Sequence, residues 1–353
     1  MFCRHVVDLR FSACKTETMR PHYKFYFFLT CGWTLFCAFS ALAQPPQLTA
    51  LSAGRKVSLR GLSVVNDTVF WVSGSGGQVG RSTNGGKTIE WQTIPGQEKR
   101  DFRDIEALDE NTALVLAVAE PGLMLKTTNA GKDWYPVFQD PSPGVFLDAF
   151  AFAKTAQGLE AWAIGDPLPQ VKGKDTSYPL YALYSSNGGD TWEKKNTGIY
   201  LEKDEAFFAS SGSNLVVLAS GKVLAVTGGK KARLLHWQQD KFSVTDLPLL
   251  QGQASTGANA LALAPNQKNA FVVGGNFQAP AMVSPWGYRS GLAYVDASIL
   301  VACGTSGTDY SKDGGKTWVA LDKTGYHVVK TSPAGRVVYL AGGNGRIAKI
   351  TGL

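Results

Sequence analysis

The chain has 353 residues, 44% of them hydrophobic and 11% aromatic, with 39 glycines; this excludes a disordered polymer and describes a turn-rich globular protein. Its 35 basic and 28 acidic side chains are dispersed along the sequence. The surplus of +7 is too weak and too scattered for a nucleic-acid-binding surface.

Residues 19–24 (MRPHYK) form a short basic segment that runs into an apolar stretch, residues 25–40, and ends at Ala41-Leu42-Ala43. That is the layout of a secretory signal peptide cleaved before Gln44. The alternative is an uncleaved anchor, which needs about 17–25 apolar residues, a length this run barely reaches. Residues 1–43 are therefore read as an extension plus signal, with residues 1–18 left out of the fold reading, and residues 44–353 as a single exported domain, periplasmic or extracellular. Cys3, Cys14, Cys31 and Cys37 leave with the signal, so no internal disulfide is expected. The segment also carries five basic and two acidic residues, and the remainder keeps 30 against 26.

Seven short strands then open in succession: at Arg60 (RGLSVV), Arg103 (RDIEAL), Leu147 (LDAFAF), Ala206 (AFFASS), Ala258 (ANALAL), Arg289 (RSGLAYV) and His327 (HVVKTS). Their mean spacing is 44.5 residues, the length of a four-stranded propeller blade. A second column keeps the same register. Residues 82–89 (STNGGKTI), 127–134 (TTNAGKDW), 185–192 (SSNGGDTW) and 311–318 (SKDGGKTW) nearly repeat one another, with Asn84, Asn129, Asn187 and Asp313 at the third position. The last two are 126 residues apart, three times 42, so two further units lie between them without the motif.

The third unit carries an insertion, residues 165–181 (GDPLPQVKGKDTSYPLY), readable either as a lid or as a surface loop. The fifth is short: 31 residues separate Ala258 from Arg289, too few for four strands, so two or three strands and a notch in the rim are expected. In the sixth, Cys303 sits in an apolar run and reads as a buried, inert thiol. The seventh stops at Leu353 before an outer strand can form. Leu48-Thr49-Ala50-Leu51 has no unit of its own and is expected to supply that strand, closing the ring and removing its free edges. The fold expected is all-β: a seven-bladed β-propeller closed by an N-terminal strand.

The eight-residue pattern resembles the Asp-box, or BNR repeat, of sialidase-like propellers, which implies a hairpin turn between the third and fourth strands of a blade. The physics suits that place: Asn or Asp bonds its own backbone, glycine takes φ > 0, and Trp134, Trp192 and Trp318 cover the gap between sheets. The boxes are read as structural. The series RGLSVVNDTVFWVSGSGG, RDIEAL, GYRSGLAYV, SNGGDTWEKK and GGNGRIAKI is similar to the photosystem II stability/assembly-factor-like family over about residues 45–353. Secreted bacterial members of that family also carry oxidoreductase or glycosyl hydrolase names.

The strand openings ring one mouth of the central channel and gather Arg60, Arg103, Asp104, Asp148, Glu205, Asn259, Arg289 and His327, with Tyr288 and Tyr326 adjoining. Three arginines there could hold a carboxylate, a sulfate or an acidic peptide end; equally, they could pair with the neighbouring carboxylates. The leading reading is a non-catalytic binding or assembly propeller that is monomeric, needs no cofactor, and offers this mouth to a protein or glycan partner. The alternative is a glycoside hydrolase using Asp148 and Glu205 as its acid and nucleophile. A sialidase's Arg-Ile-Pro element is absent. The sequence also lacks H-E-x-x-H and C-x-x-C, so metal chemistry is not expected, and its glycine pairs lack the following helix a dinucleotide site requires.

Overall fold

The computed structural model describes residues 5–8, 45–239, 241–279 and 287–353; the expected signal segment 19–43 and its expected cleavage before Gln44 lie outside them. Seven antiparallel sheets form a seven-bladed β-propeller. Their innermost strands, Leu59–Val64, Phe102–Ala107, Leu147–Thr155, Leu215–Val217, Thr256–Leu263, Gly291–Tyr294 and Val328–Thr331, touch one another in that order, and the seventh returns to the first. Blade 1 adds Phe70–Gly74, Gln78–Ser82 and Glu90–Thr93 outward, and five other blades repeat that four-strand order.

Closure happens where the missing outer strand requires it. Gln47–Ser52 pairs antiparallel with Ile347–Thr351, setting Leu48 opposite Ile350 and Ala50 opposite Ala348. The ring is thereby held by hydrogen bonds between Gln47–Ser52 and Ile347–Thr351, which covers the outer edge of Ile347–Thr351.

The core consists of the layers between blades. Second strands such as Phe70–Gly74 and Ala113–Ala117 are buried at every position because each packs on two neighbouring sheets. The four recurrent segments form the turn between third and fourth strands. In each, the opening hydroxyl accepts the N–H four residues on: Gly86 to Ser82 at 2.9 Å and Gly315 to Ser311 at 2.9 Å. The Asn or Asp Oδ1 accepts a second such bond, from Thr88 to Asn84 at 2.9 Å and from Thr317 to Asp313 at 2.8 Å. The tryptophan then reaches the preceding blade: Trp134 lies edge-on to Trp71, and Trp318 packs on Phe271. Trp192 and Trp318 also donate to the carbonyls of Gly189 and Gly315, at 3.1 and 3.0 Å.

One element departs from the sequence reading. The fourth blade's inner strand is Leu215–Val217, not a strand opening at Ala206. Glu205–Ala206 instead makes a two-residue pairing with Gly228–Gly229, and residues 206–214 cross the channel entrance. A run containing Ser-Ser-Gly-Ser-Asn (210–214) has too little apolar side chain to line a blade interface, so the turn-forming residues prevail. The fifth blade has two strands of its own among the described residues, Thr256–Leu263 and Asn269–Asn276, and His5–Asp8 pairs along the outer edge of the second. The insertion folds as an exposed hairpin, Gln170–Lys172 with Asp175–Ser177. Cys303 is free and fully buried, and burial pushes its thiol pKa far up. Among the described residues, no helix is long and apolar enough to cross a membrane.

Candidate functional site

Strands alternate in direction, so each inner strand begins on the same face of the ring as the turn between the second and third strands. The box hairpins lie on the opposite face. A cavity of about 420 Å³ opens on the first face. Its polar lining comes from strand openings (Arg60, Arg103, Ser290, His327) and from second-to-third turns (Asp166, Thr305). The apolar side is Phe146, Phe207, Phe208 and Phe277, where Phe277 stands edge-on to Phe208 and to the buried Tyr288.

Arg60 is the exceptional cation. Among the described residues it has no carboxylate in ion-pair contact; its one hydrogen bond runs from Nη1 to the Ser210 carbonyl at 3.4 Å. Burial, then the neighbouring Arg103 guanidinium, lowers its pKa. Arg103 is paired with Asp101 at 2.8 Å, yet it keeps about a third of its side chain in solvent. Two guanidiniums thus face one half-apolar cavity, with Asp101 paired to Arg103 and Asp166 on the same lining.

His327 is neutral: burial, then Arg60, depress it to about 4. Its Nδ1 donates to the Leu59 carbonyl at 2.9 Å, which leaves Nε2 as an acceptor. Tyr288 Oη bonds Asn259 Oδ1 at 2.8 Å and lies 3.3 Å from Ser210 Oγ, tying the crossing segment to blades 5 and 6. Tyr326, by contrast, is a core side chain.

Three carboxylates lie beneath that segment, Asp104 and Asp148 buried and Asp166 partly buried. Asp166 Oδ1 accepts the Phe207 amide at 2.9 Å, and burial raises its pKa to about 6. Asp148 is fully buried, and neither oxygen has a partner of good hydrogen-bond geometry, although the amides of Ala209 and Asp166 face it. Burial, then Asp166, raises its pKa well above the usual range. Asp104 accepts the amides of Ile105 and Phe150 at 2.9 and 3.0 Å, and burial, then Glu106, lifts it to about 7. A Cβ on Gly212 would sit 2.1 Å from Asp104 Oδ1, so the segment's backbone rests directly on that carboxylate.

Six residues expected at the mouth are not in the cavity lining: Asp104, Asp148, Asn259 and Tyr326, which are buried, and Arg289 and Glu205, which are committed to other partners. Arg289 is 6% exposed and spent within its own blade: Nε bonds Asp309 at 2.6 Å, and Nη1 bonds the Tyr288 carbonyl and Ser306 Oγ at 2.9 and 2.7 Å. Glu205 is 2% exposed and holds Arg233 through both oxygens, while also accepting from Thr227 and the Glu202 amide. Both Glu205 oxygens are thus occupied by Arg233, Thr227 and the Glu202 amide. Among the described residues, no group of three or more His, Cys, Asp or Glu side chains could hold a metal ion.

The second-to-third turns escaped the sequence reading, although a signal exists. A glycine ends the second strand at Gly74, Gly165 and Gly304, and a Cβ there would lie 2.3, 2.4 and 1.9 Å from the carbonyl of the incoming inner strand. The residue after each such glycine (Ser75, Asp166, Thr305) is therefore on the rim beside the strand openings.

No family model and no curated protein sequence matches this chain. Solved structures do. A structure described as YCF48 bound to D1 peptide matches with a TM-score of 0.60 at 15% identity, covering 87% of this chain and 97% of that one. YCF48 from Cyanidioschyzon merolae matches with a TM-score of 0.59 at 16% identity, over 86% and 98%. At these identities the likeness is one of fold.

Proposed function

We propose that this protein is an exported, non-catalytic propeller that binds an acidic segment of a partner protein in the cavity lined by Arg60 and Arg103. The observation that carries the reading is Arg60. A partly buried guanidinium beside a second one gains when an anion reaches both. A carboxylate seated between them gains charge-assisted hydrogen bonds, and the phenylalanine wall takes apolar side chains of the same segment. The YCF48 structure that holds a D1 peptide supports a peptide partner by analogy of fold, as does the family resemblance of the sequence.

A peptide array tests this, half of it carrying acidic residues or free C-terminal carboxylates and half neutral or amidated. The wild type should select the acidic half, and Arg60→Met should lose that preference while remaining folded. Absence of any acidic preference would overturn the reading, as would turnover of chromogenic glycosides that disappears in Asp166→Asn. Export is tested separately: N-terminal sequencing of the envelope protein should begin at or within a few residues of Gln44.

A further inference from the structure

We infer that His327 makes the cavity selective for an acidic segment that keeps a free backbone N–H beside the acid: Arg60 and Arg103 take the anionic group, and His327 Nε2 accepts the amide. This inference rests on the peptide-binding reading of the same cavity and adds to it a requirement on the partner's sequence, since a prolyl residue at that amide is excluded.

The tautomer follows from the ring's other contact. Nδ1 lies 2.9 Å from the Leu59 carbonyl, an oxygen that can only accept, so Nδ1 carries the hydrogen and Nε2 carries a lone pair. A second proton is opposed by burial and then by the nearby Arg60, Arg346 and Arg103 guanidiniums. The imidazole is therefore neutral with three cations near it. His327 lines the cavity, and its Nε2 has no hydrogen-bond partner among the described residues.

The neighbouring side chains make this nitrogen distinctive. Arg60 and Arg103 can only donate. Ser290 and Thr305 are hydroxyls, which serve equally as donor and acceptor and so do not tell one ligand group from another; Ser290 Oγ already donates to the His327 carbonyl at 2.7 Å. Asp166 accepts, and its Oδ1 holds the Phe207 amide, but when ionised it repels the anion that the arginines attract. Among these side chains His327 is uncharged and can accept but not donate.

A segment that brings a carboxylate between two guanidiniums also carries backbone amides into a half-apolar hollow. An amide left there without an acceptor has lost its water, which opposes binding; one placed on Nε2 is satisfied without adding a charge to the cavity. The acid and the amide are thus read by different side chains of one site.

The test is an N-methyl scan. The acidic peptide that the wild type binds most tightly on the array is resynthesised with one backbone amide methylated at a time, and each version is titrated calorimetrically against the full chain and against His327→Asn. Asparagine places its side-chain nitrogen about where Nδ1 stands, so the tie to Leu59 is kept while the acceptor is lost. Methylation at one position beside the acid should weaken wild-type binding about tenfold and add nothing in His327→Asn, which should bind the unmethylated peptide about tenfold more weakly. Nitrogen NMR of the wild-type complex should show His327 neutral and protonated at Nδ1. Equal methylation penalties in the two chains, or a His327 protonated at both nitrogens in the complex, would overturn the inference while the acidic preference of the cavity stands. The wild-type scan and the spectrum need no variant, so a scan with no sensitive position overturns it even where His327→Asn fails to fold. Absence of any acidic preference overturns the reading of the cavity and this inference with it.

Discussion

Replacing Arg60 and Arg289 in turn by methionine, which keeps much of the side-chain volume, should separate two arginines that the sequence presents as equivalent. Arg289 is buried against Asp309, with further bonds to Tyr288 and Ser306. Removing it takes the cation from a carboxylate that is 3% exposed, and breaking a buried pair from one side costs about 3–5 kcal/mol. Arg60 gives up one hydrogen bond at 3.4 Å, the long limit, and escapes the repulsion of Arg103. Its net effect on stability should stay within about 1 kcal/mol, since a neutral-acceptor bond contributes roughly 0.5–1.5 kcal/mol and the lost repulsion offsets it. Guanidinium denaturation followed by tryptophan fluorescence reads both, with the midpoint falling clearly for Arg289→Met and hardly for Arg60→Met. The acidic-peptide array should report the opposite order, with selectivity lost in Arg60→Met and kept in Arg289→Met wherever that variant is folded. An Arg60 variant as unstable as the Arg289 variant would refute the assignment of Arg60 as an uncommitted cation, and a neutral Arg289→Met would refute its structural role.

Gly315→Ala should destabilise by about 2 kcal/mol or more, since its Cβ would lie 2.2 Å from the Phe271 ring at φ +88, whereas Gly314→Ala has open space and should cost about 1 kcal/mol for the left-handed backbone alone. Thermal melts of the two variants check this, and Ala130, which holds the Gly314 position of its own box at φ 62, shows that the smaller cost is tolerated. Trp318→Ala should cost about 3–5 kcal/mol by opening the interface of blades 5 and 6 while leaving peptide selection intact; Trp192→Ala should do the same between blades 2 and 3. The raised carboxylates make stability depend on pH. Asp166 at about 6 and Asp104 at about 7 bind protons more tightly when folded, so their contribution is complete below about pH 4 and is lost as pH rises through 6 to 7. For Asp104 the loss is at most about 4 kcal/mol. Asp104→Asn should flatten the fall in denaturation midpoint between pH 4.5 and 8, and an unchanged slope would remove these carboxylates as its source.

Much of the fold was legible because it rests on local chemistry repeated in register. A box such as SKDGGKTW closes its turn with its own hydroxyl, carboxylate and glycines, so each copy marks the same point of a blade wherever it occurs. The seventh unit's missing strand and the unassigned Leu48-Thr49-Ala50-Leu51 could be matched by counting, and the pairing with Ile347–Thr351 follows that match. Residues 205–214 were misread because apolar AFF looks like strand at short range, while their partners (Asp166, Asp104, Asn259, Ser290) come from four other blades.

By itself the sequence determined the repeat, the number of blades, the turn chemistry and the means of closure, all of which depend on residues close together or on a fixed period. Only the tertiary structure decided which charges are committed and which are available. Arg289 meets Asp309 twenty residues on, Glu205 meets Arg233 twenty-eight residues on, and Arg60 meets no carboxylate among the described residues. Ion pairing depends on which side chains arrive within a few ångströms once the ring is closed, and nothing in the periodicity of a blade encodes that distance.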